Sequence, residues 1–294
     1  MQANMEQTDK NIVKKAVFDR PDDANKGTLG SLLCVSGSYG MAGASIMAGK
    51  ASLKCGLGLL KMALPKSIYQ VAAQSILESV FYPLCETSDG KISVNNLDFL
   101  LEQAENSSAV LLGCGMSVCD DTKSVVNSFI ENCKVPMVLD ADALNCIAQN
   151  PDVLKKAKAK VIITPHPGEM ARLENSTAKA INDNREKTAT NFAKKYDVVT
   201  VLKGAGTVIA SPDGKVMINR TGNSGMATGG SGDVLAGMTA SFLAQGASAF
   251  DSAAAAVYLH GLSGDIAMKK YGKISMLPTD IINCIHLAFK ECGL

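Results

Sequence analysis

Short, almost continuously apolar runs recur along the chain, separated by longer segments whose apolar positions are spaced as on one face of a helix. Ser31–Ser36, Leu59–Leu64, Ala109–Leu112, Pro136–Asp140, Lys160–Thr164 and Asp197–Leu202 are the clearest runs. Runs of this length without polar alternation predict strands buried on both faces. Ile76–Leu84 is read as a further strand. Val208–Ala210 and Lys215–Asn219, flanking Ser211-Pro212-Asp213-Gly214, predict a hairpin. Helical spacing runs through Ala48, Ala51 and Cys55, then over 94–105, 122–132, 184–196, 234–242, 248–267 and the segment after Leu277-Pro278-Thr279-Asp280. Strand and helix in alternation predict an α/β fold: an open, mostly parallel central sheet with helices on both faces. With neither an internal repeat nor a Ser/Gly-rich linker, one domain is expected over 1–294, after a polar lead-in at about 1–25.

Glycine marks the loops that follow. Four turns, 37–43, 113–115, 203–207 and 222–232, end strands or open helices, and loops of this kind gather at one edge of an open α/β sheet. The richest stretch, Asn219–Gly237 (NRTGNSGMATGGSGDVLAG), holds six glycines and a single carboxylate, Asp233, directly before the apolar residues Val234, Leu235 and Met238. A Gly-rich loop opening onto a helix presents free N–H groups and a positive helix end to an anion, with phosphate the obvious guest. An Asp in that turn opposes phosphate unless it is a base, a metal contact or the partner of a substrate hydroxyl; the plainer reading is a helix cap or first-turn residue.

Other polar groups sit at strand ends. Asp140 and Asp142 follow a buried strand, where they cap a helix ending near Asn150, face solvent, or meet a cation or ligand hydroxyl. Their spacing gives no support to a paired-carboxylate glycosidase. His166 lies between two prolines on a stiffened loop unsuited to regular helix or central strand, a position that favours ligand contact. His260 and His286, in apolar helical runs, are read as packing or helix-end residues. Lys203-Gly204-Ala205-Gly206-Thr207 offers a cation, flexible backbone and a hydroxyl together, without being a Walker loop, and Gly37–Gly43 lacks the dinucleotide-binding spacing.

Composition narrows the partners. Lys plus Arg number 29 against 28 Asp plus Glu, a net charge of +1, so no basic field calls for nucleic acid. Nine cysteines, an odd number mostly in apolar segments, read as buried thiols of a reducing compartment. Cys114 and Cys119 lack the second Cys/His pair of a structural zinc site. The polar beginning MQANMEQTDKN carries no apolar leader, and no apolar run reaches membrane-spanning length. A cytoplasmic protein without membrane association is expected.

Taken together, SGSYGMAGA, LDADALN, ITPHPGEMARL, VLKGAGTVIA and GNSGMATGGSGDVLAGM resemble, in order from about residue 25 to the end, the ADP/ATP-dependent NAD(P)H-hydrate dehydratases of the ribokinase-like superfamily. Two positions depart from that pattern: Ser224 stands where a proline is usual, and Asn25 where a histidine is common. The resemblance implies repair of the S epimer of hydrated NADH or NADPH, by phosphorylation of the 6-hydroxyl from ADP or ATP and elimination of phosphate. It implies Asp233 as the base, Lys203, Gly204, Ala205, Gly206, Thr207 and Gly232 at the AMP portion of the nucleotide, and Ala44, Gly115, His166 and Asp233 at the substrate. It further implies magnesium, with unassigned protein ligands among which Glu169 is a weak candidate, a homotetramer, and a separate NAD(P)H-hydrate epimerase, since 294 residues hold only the dehydratase. The alternatives are a ribokinase-like vitamin-precursor kinase, which leaves the Pro-His-Pro and Lys-Gly-Ala-Gly-Thr pairing unexplained, and a nucleotide-sensing protein, which has no need of Asp233.

Overall fold

The computed structural model describes residues 6–17 and 20–294. In chain order its elements are β1 (Glu6–Gln7), α1 (Lys10–Ala16), β2 (Ser31–Val35), α2 (Ala42–Lys54), β3 (Leu59–Pro65), α3 (Tyr69–Ser75), β4 (Val80–Leu84), α4 (Leu97–Glu105), β5 (Ala109–Leu112), α5 (Asp120–Asn132) and β6 (Met137–Leu139). There follow α6 (Asp142–Ile147), β7 (Val161–Ile163), α7 (Pro167–Leu173), α8 (Ala178–Asp183), α9 (Arg185–Tyr196), β8 (Val198–Leu202), β9 (Thr207–Ala210), β10 (Val216–Asn219), α10 (Ser231–Ala244), α11 (Ala249–Tyr271) and α12 (Pro278–Glu291). The strands form one sheet in the order β1-β10-β9-β8-β7-β6-β5-β2-β3-β4, in which only β9 pairs antiparallel with its neighbours.

The continuous apolar runs are explained by the two layers that cover the sheet. Leu32 and Cys34 of β2 belong to one core with α2, α10, α11 and α12, whereas Leu33 and Val35 belong to the other with α4, α5 and α9. Val138 and Ile162 likewise face the first core while Met137, Leu139, Val161 and Ile163 face the second. Successive side chains point to opposite faces, and both faces are apolar, so no polar alternation survives. The expected α/β architecture with helices on both faces is observed.

Three local readings are corrected. Within the polar lead-in, Glu6–Gln7 pairs parallel with β10, and Asp9 caps α1 through the Asn11 and Ile12 N–H groups, burying Ile12, Val13 and Ala16. Few apolar residues suffice there because the segment is short and uses a single face. The strand expected over 76–84 begins only at Val80, since Tyr69–Ser75 is helical and Ile76 ends that helix. The helix after β6 stops at Ile147, followed by a 3-10 turn over Pro151–Lys156 where proline supplies a favourable first position.

Candidate functional site: a glycine-rich cleft beside a half-buried carboxylate

β2 and β5 are adjacent in the sheet, yet the chain leaves β2 toward β3 and β4 and leaves β5 toward β6, β7 and β8. Loops departing from such a pair diverge and open a crevice at the carboxyl edge. Here they are the turns after Val35 and Leu112, joined by the Gly37 N–H donating to the Cys114 carbonyl at 2.8 Å and by Ser38 Oγ donating to the Gly115 carbonyl at 2.9 Å. Gly115 lies at φ +65°, and a Cβ there would sit 2.8 Å from the Cβ of Ala44, so these two positions are packed side by side and buried.

α10 begins beside this crevice. Gly230 adopts φ +101°, a left-handed turn that favours glycine, and a Cβ on it would have to displace the end of the Met47 side chain of α2. No side chain caps the helix, and among the described residues the N–H groups of Gly232 and Asp233 meet no protein acceptor. The helix end therefore keeps donors that an anion can take. A cavity of about 840 Å³ opens against it, lined by Lys203–Thr207, the loop Asn219–Ser224, Gly232, His166 and His260. All six positions expected at the nucleotide border this cavity, as does His166; Ala44, Gly115 and Asp233 do not line it. Ser224, in the place of the usual proline, opens a short 3-10 turn that Asn223 caps through the Gly225 N–H. Asp265 of α11 pins the same loop, accepting from the Gly222 N–H and from Asn223 Nδ2, each at 2.9 Å.

Lys203 leaves β8 with its Nζ against this helix end, 3.3 Å from where a Gly232 Cβ would stand. It donates to Asp140 Oδ1 at 2.8 Å and lies 3.9 Å from Glu169 Oε2. Burial opposes its charge, but the Asp140 and Glu169 carboxylates outweigh that and hold the ammonium above its ordinary pKa. Asp140 meets a cation, one of the outcomes open for it, and also accepts from Thr164 Oγ1 at 2.6 Å. Asp142 does not cap α6: it is the first helical residue and accepts from the Ser117 N–H at 2.8 Å.

Asp233 occupies the first turn of α10, as its local sequence allowed. Its carboxylate, Asp140 and the Cys114 thiol have ligand atoms within 4.8 Å of one another. Burial raises its pKa most and the Asp140 charge adds to this, while a hydrogen bond with Cys114 and the Lys203 charge oppose, leaving it at about 6. A carboxyl so tuned is ionised at neutral pH yet basic enough to accept a proton. The Cys114 thiol is itself pushed well above its usual range, by burial first and then by Asp233. A thiol held protonated and a carboxylate already joined to Lys203 do not fit magnesium, which takes oxygen ligands and retains water.

The segment around His166 is helical from Pro167, which corrects the loop expected there. Proline is favoured at the first helical position, and His166 is the N-cap: its Nδ1 accepts from the Gly168 and Glu169 N–H groups at 3.0 and 3.3 Å, while Glu169 accepts from the His166 N–H at 2.7 Å. Burial, then Lys203 and Arg172, lowers the imidazole pKa, keeping Nδ1 free to accept. Glu169 is thereby engaged by His166 and Lys203 instead of offered to a metal; burial raises its pKa. His260 also departs from its packing role. It borders the cavity with Nε2 3.3 Å from Ser231 Oγ, and burial lowers its pKa to about 4. Its apolar sequence context hid this. His286, by contrast, is exposed midway along α12.

A second cavity, about 930 Å³, lies away from this chemistry among α5, α6, α7 and α9, lined by residues such as Lys123, Arg172 and Tyr196. Among the described residues, no helix is long and apolar enough to cross a membrane.

A family model described as NAD(P)H-hydrate dehydratase matches residues 32–287. The bifunctional NAD(P)H-hydrate repair enzyme of Moorella thermoacetica is 41% identical over 272 residues, covering 92% of this chain and 51% of its own length. The chain thus spans about half the length of the curated bifunctional relatives it matches. The ADP-dependent (S)-NAD(P)H-hydrate dehydratase of Neisseria meningitidis is 32% identical, covering 86% of this chain and 82% of its own. Among solved structures, the Bacillus subtilis ADP/ATP-dependent NAD(P)H-hydrate dehydratase, co-crystallised with ATP and magnesium, superposes with a TM-score of 0.83 at 27% identity over 98% of this chain and 99% of its own. With its carboxylate-bearing glycine turn set at the edge of such a sheet, the chain belongs to the ADP/ATP-dependent NAD(P)H-hydrate dehydratase family of the ribokinase-like superfamily.

Proposed function

We propose that this protein dehydrates the S epimer of hydrated NADH and NADPH, using ADP or ATP as phosphoryl donor with magnesium, and so returns damaged coenzyme to use. The observation that carries the reading is the juxtaposition at α10: a carboxyl with pKa near 6, two unpartnered N–H groups and the Lys203 ammonium on one helical turn. Hydroxide is a poor leaving group and phosphate a good one, so phosphorylating the alcohol lowers the barrier to elimination.

In the first step Asp233 takes the proton of the 6-hydroxyl, whose oxygen attacks the terminal phosphorus; the bond to the rest of the nucleotide breaks and its electron pair leaves on that nucleotide. The Gly232 and Asp233 N–H groups and Lys203 oppose the negative charge on the transferring oxygens. In the second step the C6–O bond breaks, phosphate departs with the electron pair, and a proton lost from the neighbouring carbon restores the ring double bond. Lys203–Thr207 and Gly232 hold the AMP portion of the nucleotide, and Ala44, Gly115 and His166 hold the substrate. Magnesium would enter with the nucleotide and would offset the negative charge of its phosphates. One ribokinase-like domain carries this activity, in the cytoplasm, as a homotetramer.

Purified protein mixed with hydrated NADH, Mg²⁺ and ADP or ATP is expected to regenerate the dihydronicotinamide absorbance with release of phosphate. No recovery with either nucleotide, for NADH or NADPH hydrate, refutes the reading; phosphorylation of a pyrimidine or thiazole alcohol by the same sample replaces it with a kinase. Catalytic efficiency should rise with pH through about 6, because Asp233 accepts a proton only when ionised.

A further inference from the structure

We propose that Asp140 is a positioning residue of the reaction: its carboxylate fixes the Lys203 ammonium at the α10 turn through Oδ1 and shares a buried cluster with Cys114 and Asp233, so that the cation on the nucleotide side and the base on the alcohol side are set against each other through one side chain. The inference rests on the dehydratase reading for its catalytic consequence, and on geometry alone for the coupling.

Asp140 is 1% exposed and closes the central strand β6. Oδ1 receives two donors, Thr164 Oγ1 at 2.6 Å and Lys203 Nζ at 2.8 Å, which hold the carboxylate plane in one orientation. Oδ2 is left toward the Cys114 thiol, 3.9 Å away. The backbone that carries it is held hard: Ala141 follows at φ 49°, ψ −113°, and a Cβ on Gly113 would stand 1.9 Å from the Asp140 carbonyl, so the neighbouring turn is built around this residue. An apolar residue at the end of β6 would avoid burying a charge.

The charged and titratable groups facing Asp233 come from several elements: Cys114 after β5, Asp140 and Asp142 after β6, Lys203 after β8, and Cys34 on β2. Asp140 is in turn surrounded by Thr164, Lys203 and Cys114, with Glu169 and His166 beyond Lys203. Of these, Asp140 alone touches Lys203 closely and also borders Asp233. Its negative charge strengthens the hold of Asp233 on a proton, and its grip keeps the Lys203 charge from cancelling that effect. Remove the charge and both changes act in one direction: Asp233 loses a repelling neighbour, and Lys203 is freed to move toward it.

The test compares wild-type protein with Asp140→Asn and Thr164→Val, the latter removing one donor to Asp140 while leaving every charge in place. Four quantities are read: kcat, KM for ADP or ATP, the acid limb of the pH profile, and the titration of the Asp233 carboxyl followed by NMR without substrate. For folded D140N we expect kcat to fall on the order of 10²-fold, as for a misplaced reacting group, with the acid limb and the Asp233 midpoint both moving to lower pH. For T164V we expect kcat to fall several-fold with the nucleotide KM little changed. Wild-type kcat in either folded variant, or an Asp233 midpoint unmoved in D140N, overturns the proposal; should D140N fail to fold, T164V decides. Wild-type protein inactive toward hydrated coenzyme defeats the dehydratase reading instead, and the substrate-free titration still decides whether Asp140 couples to Asp233.

Discussion

Two helix starts stand at the same edge of the sheet and are built in opposite ways. α7 satisfies itself: His166 accepts from two N–H groups of its first turn, and Glu169 returns a bond to the His166 N–H. α10 does not, for Gly230 brings no side chain, and the Gly232 and Asp233 N–H groups stay unpartnered among the described residues. A capped start is closed to anions and makes a rigid wall; an uncapped start keeps its donors for a guest, at some cost in stability. Lys203 stands between them, 3.9 Å from Glu169 of α7 and against Gly232 of α10. The difference divides labour: one helix supports the cation, the other keeps donors open to an anion.

The comparison is broken most severely at Asp233. Asp233→Asn is expected to lower kcat about 10²–10⁴-fold while nucleotide binding persists, measured by steady-state assay beside calorimetric titration with ADP. The same variant should be more stable. The folded-state pKa of Asp233 lies above its unfolded value, 3.8 against about 6, so its ionisation costs the fold stability above pH 6, and the cost vanishes as pH falls through 6 toward 4. The relief is at most about 3 kcal/mol, which should raise the melting temperature by several degrees at pH 8 and hardly at all at pH 4. Equal melting temperatures at pH 8 would deny that this carboxylate is held at a cost.

Next in size is Lys203→Met, which leaves the Asp140 carboxylate buried without its cation. Breaking a buried pair in this way costs about 3–5 kcal/mol, visible in chemical denaturation, and nucleotide affinity should fall with it. Unchanged affinity would separate Lys203 from the uncapped helix.

His166→Ala removes the α7 cap and should cost about 1 kcal/mol, together with substrate affinity. His166→Asn, able to cap but without an imidazole, should restore the stability and leave the affinity low; recovery of both would reduce His166 to a cap alone.

The smallest change sharpens the contrast from the other side. Gly232→Ala puts a methyl group 3.3 Å from the Lys203 Nζ, which must give by a few tenths of an ångström. Helix propensity favours alanine by up to about 1 kcal/mol, so the fold should hold or gain slightly while the nucleotide KM rises several-fold. A KM left untouched would show that the donors of α10 do not meet the nucleotide.

What could be read along the chain was whatever depends on neighbours in sequence. Buried strands declared themselves because both faces of the sheet are covered, and Gly230, Gly232 and Asp233 because a tight turn into a helix demands small residues and a first-turn acid reads as such. The helix at Pro167 was legible in principle, since His166, Pro167 and Glu169 form a capping box; the two prolines were read as stiffness alone. What no local pattern could supply was the pairing of Asp140 with Lys203, 63 positions apart, or of His260 with Ser231, 29 apart. Residue identities set which groups can be donors, bases or cations, because that is covalent chemistry. Whether a carboxyl titrates near 4 or near 6, and whether a buried ammonium stays charged, depends on desolvation and on charges brought from other strands, and only the folded chain decides which of those come within a few ångströms.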